Sequence, residues 1–214
     1  MTTLIRARII HDESPESPRE WDNVGHLVTW DRFGITYEDS RGKQQTLRDV
    51  NGIGGRQLAH QHMRGESVAV RVALPSSMHR GGDRDGFLYA TRADVLREWG
   101  TGADALDKAR AYLESEARTY VQWCDGDVYG RVIERRTLCE LCEAAEDVPD
   151  DCPHCEIDED SCWGFYGTDD VDANGMTDGL SEAEAALLRA EADAYHIEYS
   201  GYGGRIAARW REAA

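Results

Sequence analysis

Aliphatic side chains crowd residues 4–10, and the run ends where Pro15 and Pro18 enter. Proline lacks an amide donor and restricts the residue before it, here Ser14 and Ser17. The pattern therefore predicts a strand over 4–10 and a structured loop over HDESPESPREWDN. VGHLVTW reads as a second strand. In SVAVRVAL, strict alternation places Val68, Val70, Val72 and Leu74 on one side, as in a strand with one buried face. Residues 36–65 are polar and punctuated by glycine. NGIGGRQ fits neither period, and a short helix over 58–63 is the most that stretch offers.

GFLYATRADVLREWG is more regular. Residues 87–90 read as extended, Thr91 and Asp94 form a capping box, Val95, Leu96 and Trp99 share a helical face, and Gly100 terminates it. Thr101 and Asp104 repeat the capping pattern ahead of Leu106, Ala109, Leu113, Ala117 and Tyr120 at helical spacing. Asp104 with Lys108 and Glu114 with Arg118 are spaced to pair on the outer face. GDVYGRVIERRTL then predicts a turn and strand, and DSCWGFYG another strand. Ser181 with Glu184 opens a last helix carrying Leu187, Leu188, Ala194 and Tyr195. Strands come mostly first and helices late, so the fold class is α+β, with an antiparallel or mixed sheet and two to four helices. The 214 residues suit a single domain over 1–214, with 137–160 as a zinc-ribbon-like insertion that clamps a β-hairpin.

Charge narrows the partners. Forty-one acidic against 24 basic side chains give −17, so the average surface repels phosphate and direct nucleic-acid binding is not expected. A strongly acidic surface can instead imitate nucleic acid before a protein, although many salt-tolerant soluble proteins share this composition. The N-terminal stretch carries no leader pattern and no apolar run reaches membrane-spanning length, which points to the cytoplasm and to no membrane association.

Chemistry concentrates in CELCEAAEDVPDDCPHC. Cys139 and Cys142 form one CxxC pair and Cys152 and Cys155 a second, the spacing of a small zinc ribbon. Four thiolates fill a tetrahedral site and leave no position for an activated water, so zinc here is structural; a rubredoxin-like iron or a redox dithiol is the alternative. The acidic loop, with Glu140, Glu143, Glu146, Asp147, Asp150 and Asp151, cannot pack by itself, so metal binding would order it. His154 is expected to face solvent, and Cys124 and Cys162 read as small buried residues.

Other groupings carry less. DVDANGMTDGLS approaches a calcium loop but places Ser181 where a bidentate glutamate belongs, so a loop ending in a helix cap reads better. His60 and His62 read as an exposed turn, and the tryptophans as anchors. No nucleophile elbow, phosphate-cradling loop or HExxH helix is present, and no general base pairs with a nucleophile, which leans away from an enzyme. The carboxylates Asp12, Glu13, Glu16, Glu20 and Asp22 offer the competing reading, a divalent-metal-dependent hydrolase or nuclease.

Taken in order, DESPESPREWDNVG, GFLYATRADVLREWG, DVYGRVIE and SCWGFYG with NGM after it, the chain resembles a family of uncharacterised proteins encoded by bacteriophages and prophages. The likeness runs over most of residues 9–180. It implies a phage accessory protein of unknown activity rather than a virion building block with an assigned role. Together with the acidic charge and the absence of catalytic motifs, that context makes a host protein in the host cytoplasm the expected partner. The resemblance supplies no catalytic residues. Within it, Asp12, Glu13, Glu16, Arg19, Glu20, Trp21, Asp22 and Asn23 form the candidate partner or second-site loop. The cysteine-rich stretch is longer here than in the family pattern. The expectation is therefore a zinc-stabilised protein-binding module that modulates a host process, such as a defence or nucleic-acid enzyme.

Overall fold

The computed structural model describes residues 2–38, 43–65, 68–73, 85–145, 148–149, 152–200 and 210–212. In chain order its elements are β1 (Thr3–His11), a 3-10 turn (Pro18–Glu20), β2 (His26–Asp31), β3 (Gly34–Glu38), β4 (Gln44–Arg48), α1 (Gly55–His62), β5 (Val68–Ala73), β6 (Asp85–Ala90), α2 (Arg92–Trp99), α3 (Ala105–Asp125), β7 (Val128–Thr137), α4 (Glu140–Glu143), β8 (Glu156–Tyr166), α5 (Glu182–Ser200) and β9 (Arg211–Glu212). The fold class is α+β. Every described strand pairing is antiparallel. Among the described residues the helices number five, the additional one being the single turn α4. Contacts divide the chain into two compact units, residues 1–15 with 127–214 and residues 16–126, where sequence alone suggests one domain.

The unit of residues 16–126 is a five-stranded sheet in the order β4-β3-β2-β6-β5. Alternation along β2 sends Leu27 to one face, where Leu88, Val95, Ala109, Leu113 and Ala117 pack with it, and Val28 and Trp30 to the other, where Ile35, Ala59 and Met63 close the core. The capping box at Thr91 forms as expected: its hydroxyl accepts the Asp94 amide at 3.2 Å while Asp94 Oδ2 accepts the Thr91 amide at 3.0 Å. Thr101 does not cap α3. The helix begins after a turn in which the Ala105 amide donates to the Gly102 carbonyl, and the Asp104 carboxylate takes Lys108 Nζ at 2.8 Å. The expected face is buried at Ala109, Leu113 and Ala117, with Tyr120 packed against it, but at its start Ala105 is the buried residue and Leu106 is exposed. β3 and β4 arise within the stretch the sequence leaves unassigned. His60 and His62 lie on α1 rather than in an exposed turn, and His62 packs 4.2 Å from the Tyr37 ring. Leu74 lies outside the described residues.

The unit of residues 1–15 and 127–214 is a four-stranded sheet in the order β8-β7-β1-β9. α5 covers one face: Ile5, Ala7, Ile9 and Ile133 meet Leu188 and Ala192, with Met176 and Val171 closing the side. Ser181 and Glu184 cap α5 reciprocally, the Ser181 amide donating to Glu184 Oε2 at 2.8 Å. On the opposite face of β1 and β7, Glu134 ion-pairs with Arg6 and Arg8. The 168–181 turn is tied down by Arg131, whose guanidinium donates to the Met176 and Asp178 carbonyls. The calcium-loop acids are occupied elsewhere: Asp172 pairs with Arg189 at 2.8 Å and accepts the Thr177 hydroxyl, and Asp170 accepts the Ala173 amide.

Candidate metal centre

β7 and β8 form a hairpin whose register runs from Val128 opposite Tyr166 to Thr137 opposite Glu156. The four cysteines occupy the connection between them. The expected insertion over 137–160 is thus the tip of a regular hairpin together with the first residues of β8.

Each CxxC is a tight turn that turns two sulfurs the same way. Cys139 stands at the N-cap of α4, and its carbonyl accepts the amides of Cys142 at 3.0 Å and Glu143 at 2.9 Å. In the second pair the Cys155 amide closes onto the Cys152 carbonyl at 3.4 Å. The four Sγ atoms consequently lie within 4.8 Å of one another, with Cys139 and Cys152 at 3.9 Å, and all are free thiols. Around a tetrahedral ion with bonds of about 2.3 Å, sulfurs stand about 3.8 Å apart, so a contraction of about 1 Å at most would complete the shell. These four residues can hold a metal ion. Among the described residues no other group of three or more His, Cys, Asp or Glu side chains converges in this way.

Arg136, the penultimate residue of β7, fits the site to such an ion. Its side chain is fully buried; Nη2 donates to the Pro149 carbonyl at 2.6 Å, and Nε and Nη1 are buried without a partner among the described residues. A divalent ion with four thiolates carries two net negative charges, and the buried Arg136 guanidinium beside Cys155 supplies counter-charge to such a site. The thiols themselves are unequal. Burial pushes Cys142 well above the ordinary thiol range, while a backbone hydrogen bond from Cys139, then the Arg136 guanidinium, outweigh burial and draw Cys155 well below it. The tip is anchored at its base, where the Leu138 amide donates to the Thr2 carbonyl and Glu143 accepts the Thr2 amide. Nothing in the sequence set Arg136 apart except its position three residues before Cys139. Glu146, Asp147, Asp150 and Asp151 lie outside the described residues.

The 12–23 loop is divided. Asp12 and Glu13 belong to one unit and Glu16 through Asn23 to the other, and no three of these carboxylates converge as a metal site. Its distinctive residues serve the loop itself. Asp12 accepts the Ser14 amide, Arg19 makes a two-point pair with Glu38 and donates to the Gly25 carbonyl at 2.7 Å, and the Asn23 amide donates to the Pro18 carbonyl at 2.6 Å. Glu13, Glu16, Glu20, Trp21 and Asp22 are exposed. Trp21 joins Tyr112 and Tyr120 in lining a cavity of about 170 Å³. Sequence reasoning missed Glu116, which closes this loop from α3.

Cys124 is buried as expected, but Cys162 is exposed on β8. Trp163 beside it is also half exposed. No described helix is long and apolar enough to cross a membrane. Compared with known protein families, with curated proteins and with solved structures, the chain matches none.

Proposed function

We propose that this chain is an acidic protein-binding module whose β7–β8 hairpin is stiffened by structural zinc, and that it serves as a phage-encoded accessory protein acting on a host protein in the host cytoplasm. The observation that carries the reading is the meeting of four thiols at the tip of a hairpin whose outer strand is exposed from Glu156 through Gly164. Four soft ligands with no open position suit zinc held for folding rather than for chemistry. The ordering free energy of the metal then goes into presenting a surface that the acidic tip could not hold by itself. Leu141, 73% exposed beside the buried Cys142, is the apolar point of that surface. The net charge of −17 favours a partner with a basic face, of the kind that defence and nucleic-acid enzymes present to nucleic acid.

Two measurements test this. Metal analysis of the purified protein is expected to give zinc in equal number to the chain, and an iron chromophore would refute the metal assignment. Affinity capture from a bacterial host lysate, run beside a Cys152→Ser/Cys155→Ser variant, is expected to retain a host protein that the variant loses. Retention by both would remove the metal-clamped hairpin from the binding role.

A further inference from the structure

β8 ends the sheet. On one side it pairs with β7 through its length, and among the described residues no strand pairs with the other. In an antiparallel strand every second residue directs its N–H and C=O away from its neighbour, so an outer strand of 11 residues offers an unused row of donors and acceptors. Such edges are ordinarily short, covered, or interrupted by proline, lysine or bulges. β8 has no proline and no lysine, nine successive exposed residues, and its register shift falls only at the far end, opposite Tyr129 and Gly130.

Its side chains have a definite character. Glu156, Asp158 and Asp160 make one face of the edge anionic, Asp158 being paired with Arg135 at 3.3 Å, and Glu159 adds a carboxylate to the other face. Ile157 and Trp163 lie on the same face, 51% and 48% exposed, with Glu159 and Ser161 between them. Trp163 is held in place: its ring lies so close over Gly130 that a Cβ there would stand 2.3 Å from it. At the other end Cys155, a thiol of the metal group, immediately precedes Glu156, so the ion would fix where the strand begins. Two copies of this edge brought side by side would oppose carboxylate to carboxylate, which disfavours self-pairing. A strand bearing lysine or arginine at alternate positions meets opposite charge instead.

We propose that the edge of β8 accepts an extended basic segment of a partner protein as an added strand, its main chain pairing with β8, its cations on the face of Glu156, Asp158 and Asp160, and its apolar side chains resting on Ile157 and Trp163 on the other face. This rests on the reading of the chain as a protein-binding module and names the chemistry of its partner.

The test uses the full-length, metal-loaded protein and a synthetic peptide alternating lysine with valine. Two controls accompany it: the same composition with proline at alternate positions, which keeps charge but cannot add a strand, and a version with glutamate for lysine. Hydrogen exchange by mass spectrometry locates binding. The expected result is saturable binding by the lysine–valine peptide alone, with new protection confined to 156–164, and about tenfold weaker binding in a Glu156→Lys/Asp160→Lys variant that retains its metal. Equal binding of the proline control, protection elsewhere, self-association through β8, or no binding would each overturn the proposal. If no peptide binds while lysate capture still yields a metal-dependent partner, the edge is refuted and the module reading stands. If the peptide binds the Cys152→Ser/Cys155→Ser variant equally well, the edge stands and the metal clamp is refuted.

Discussion

Glu116 closes over Gly25 so closely that the glycine leaves no room for a side chain. Glu116 Oε2 accepts the Gly25 amide at 3.1 Å, Oε1 accepts the Val24 amide at 2.9 Å, and a Cβ on Gly25 would stand 2.2 Å from Oε2 and 2.8 Å from Leu113. Gly25→Ala is therefore expected to displace the carboxylate and cost about 1–3 kcal/mol, as overpacking does. Denaturant unfolding of the variant beside the parent measures it, and an unchanged midpoint would show that the loop shifts freely.

Two carboxylates of residues 16–126 respond oppositely to pH. Burial opposes ionisation of Asp94, but hydrogen bonds from Thr91 and from His26, 3.0 Å away, outweigh it and hold the carboxyl below its usual range. A depressed acid stabilises the fold above its unfolded value, and the contribution is lost as pH falls through the folded one. Burial of Glu116 instead wins over the amides of Gly25 and Val24 and over Arg19, raising its value. Its contribution to stability is complete below the unfolded value and fades as pH rises through the folded one. Asp94→Asn is thus expected to flatten the acid-side loss of stability, and Glu116→Gln to remove a decline just above the ordinary glutamate range. Thermal unfolding across about pH 2.5 to 5.5, roughly one unit either side of the ordinary Asp and Glu values, separates them. Parallel profiles for the two variants would contradict these assignments.

Arg136→Met keeps much of the side chain's length while removing its charge. The expected outcome is a metal affinity lower by about 10–100-fold, the usual effect of losing a group that supports ligands from behind. Competition with a chromophoric chelator reads it directly. Arg136→Lys, a point charge without the planar fork, should fall between the two.

Stripping the metal should act locally. Hydrogen exchange after chelation is expected to rise at 138–145 and 152–160, while β2 and β6 keep their protection. Uniform loss across both sheets would mean that the ion supports more than the hairpin.

Local signals were legible in the sequence. The capping boxes at Thr91 and Ser181, the β7–β8 hairpin and the convergence of two CxxC turns all follow from residues a few positions apart. What escaped depended on distant partners. β4 is a nearly uniformly exposed edge, so Gln44–Arg48 shows no alternation, and its pairing with β3 is invisible in composition. Leu106 is turned outward by a helix start that depends on the Gly102 turn. A charged residue such as Arg136 reads as surface until sulfurs from both ends of a loop surround it, and the acids of the 12–23 loop read as a site although Arg19 and Asn23 use that segment to build itself.

The sheet of residues 1–15 and 127–214 is made from both ends of the chain, with residues 16–126 running unbroken between β1 and β7. β1 is therefore synthesised well before β7 and must wait for it, whereas the five-stranded sheet has all its strands in hand before the hairpin is synthesised. The two ends of that long excursion return to hydrogen-bonding distance, the Asp12 amide meeting the Val128 carbonyl at 2.8 Å. Residues 16–126 thus interrupt the four-stranded sheet between two adjacent strands, and a short linker in their place is the natural cut for studying the cysteine-bearing half by itself.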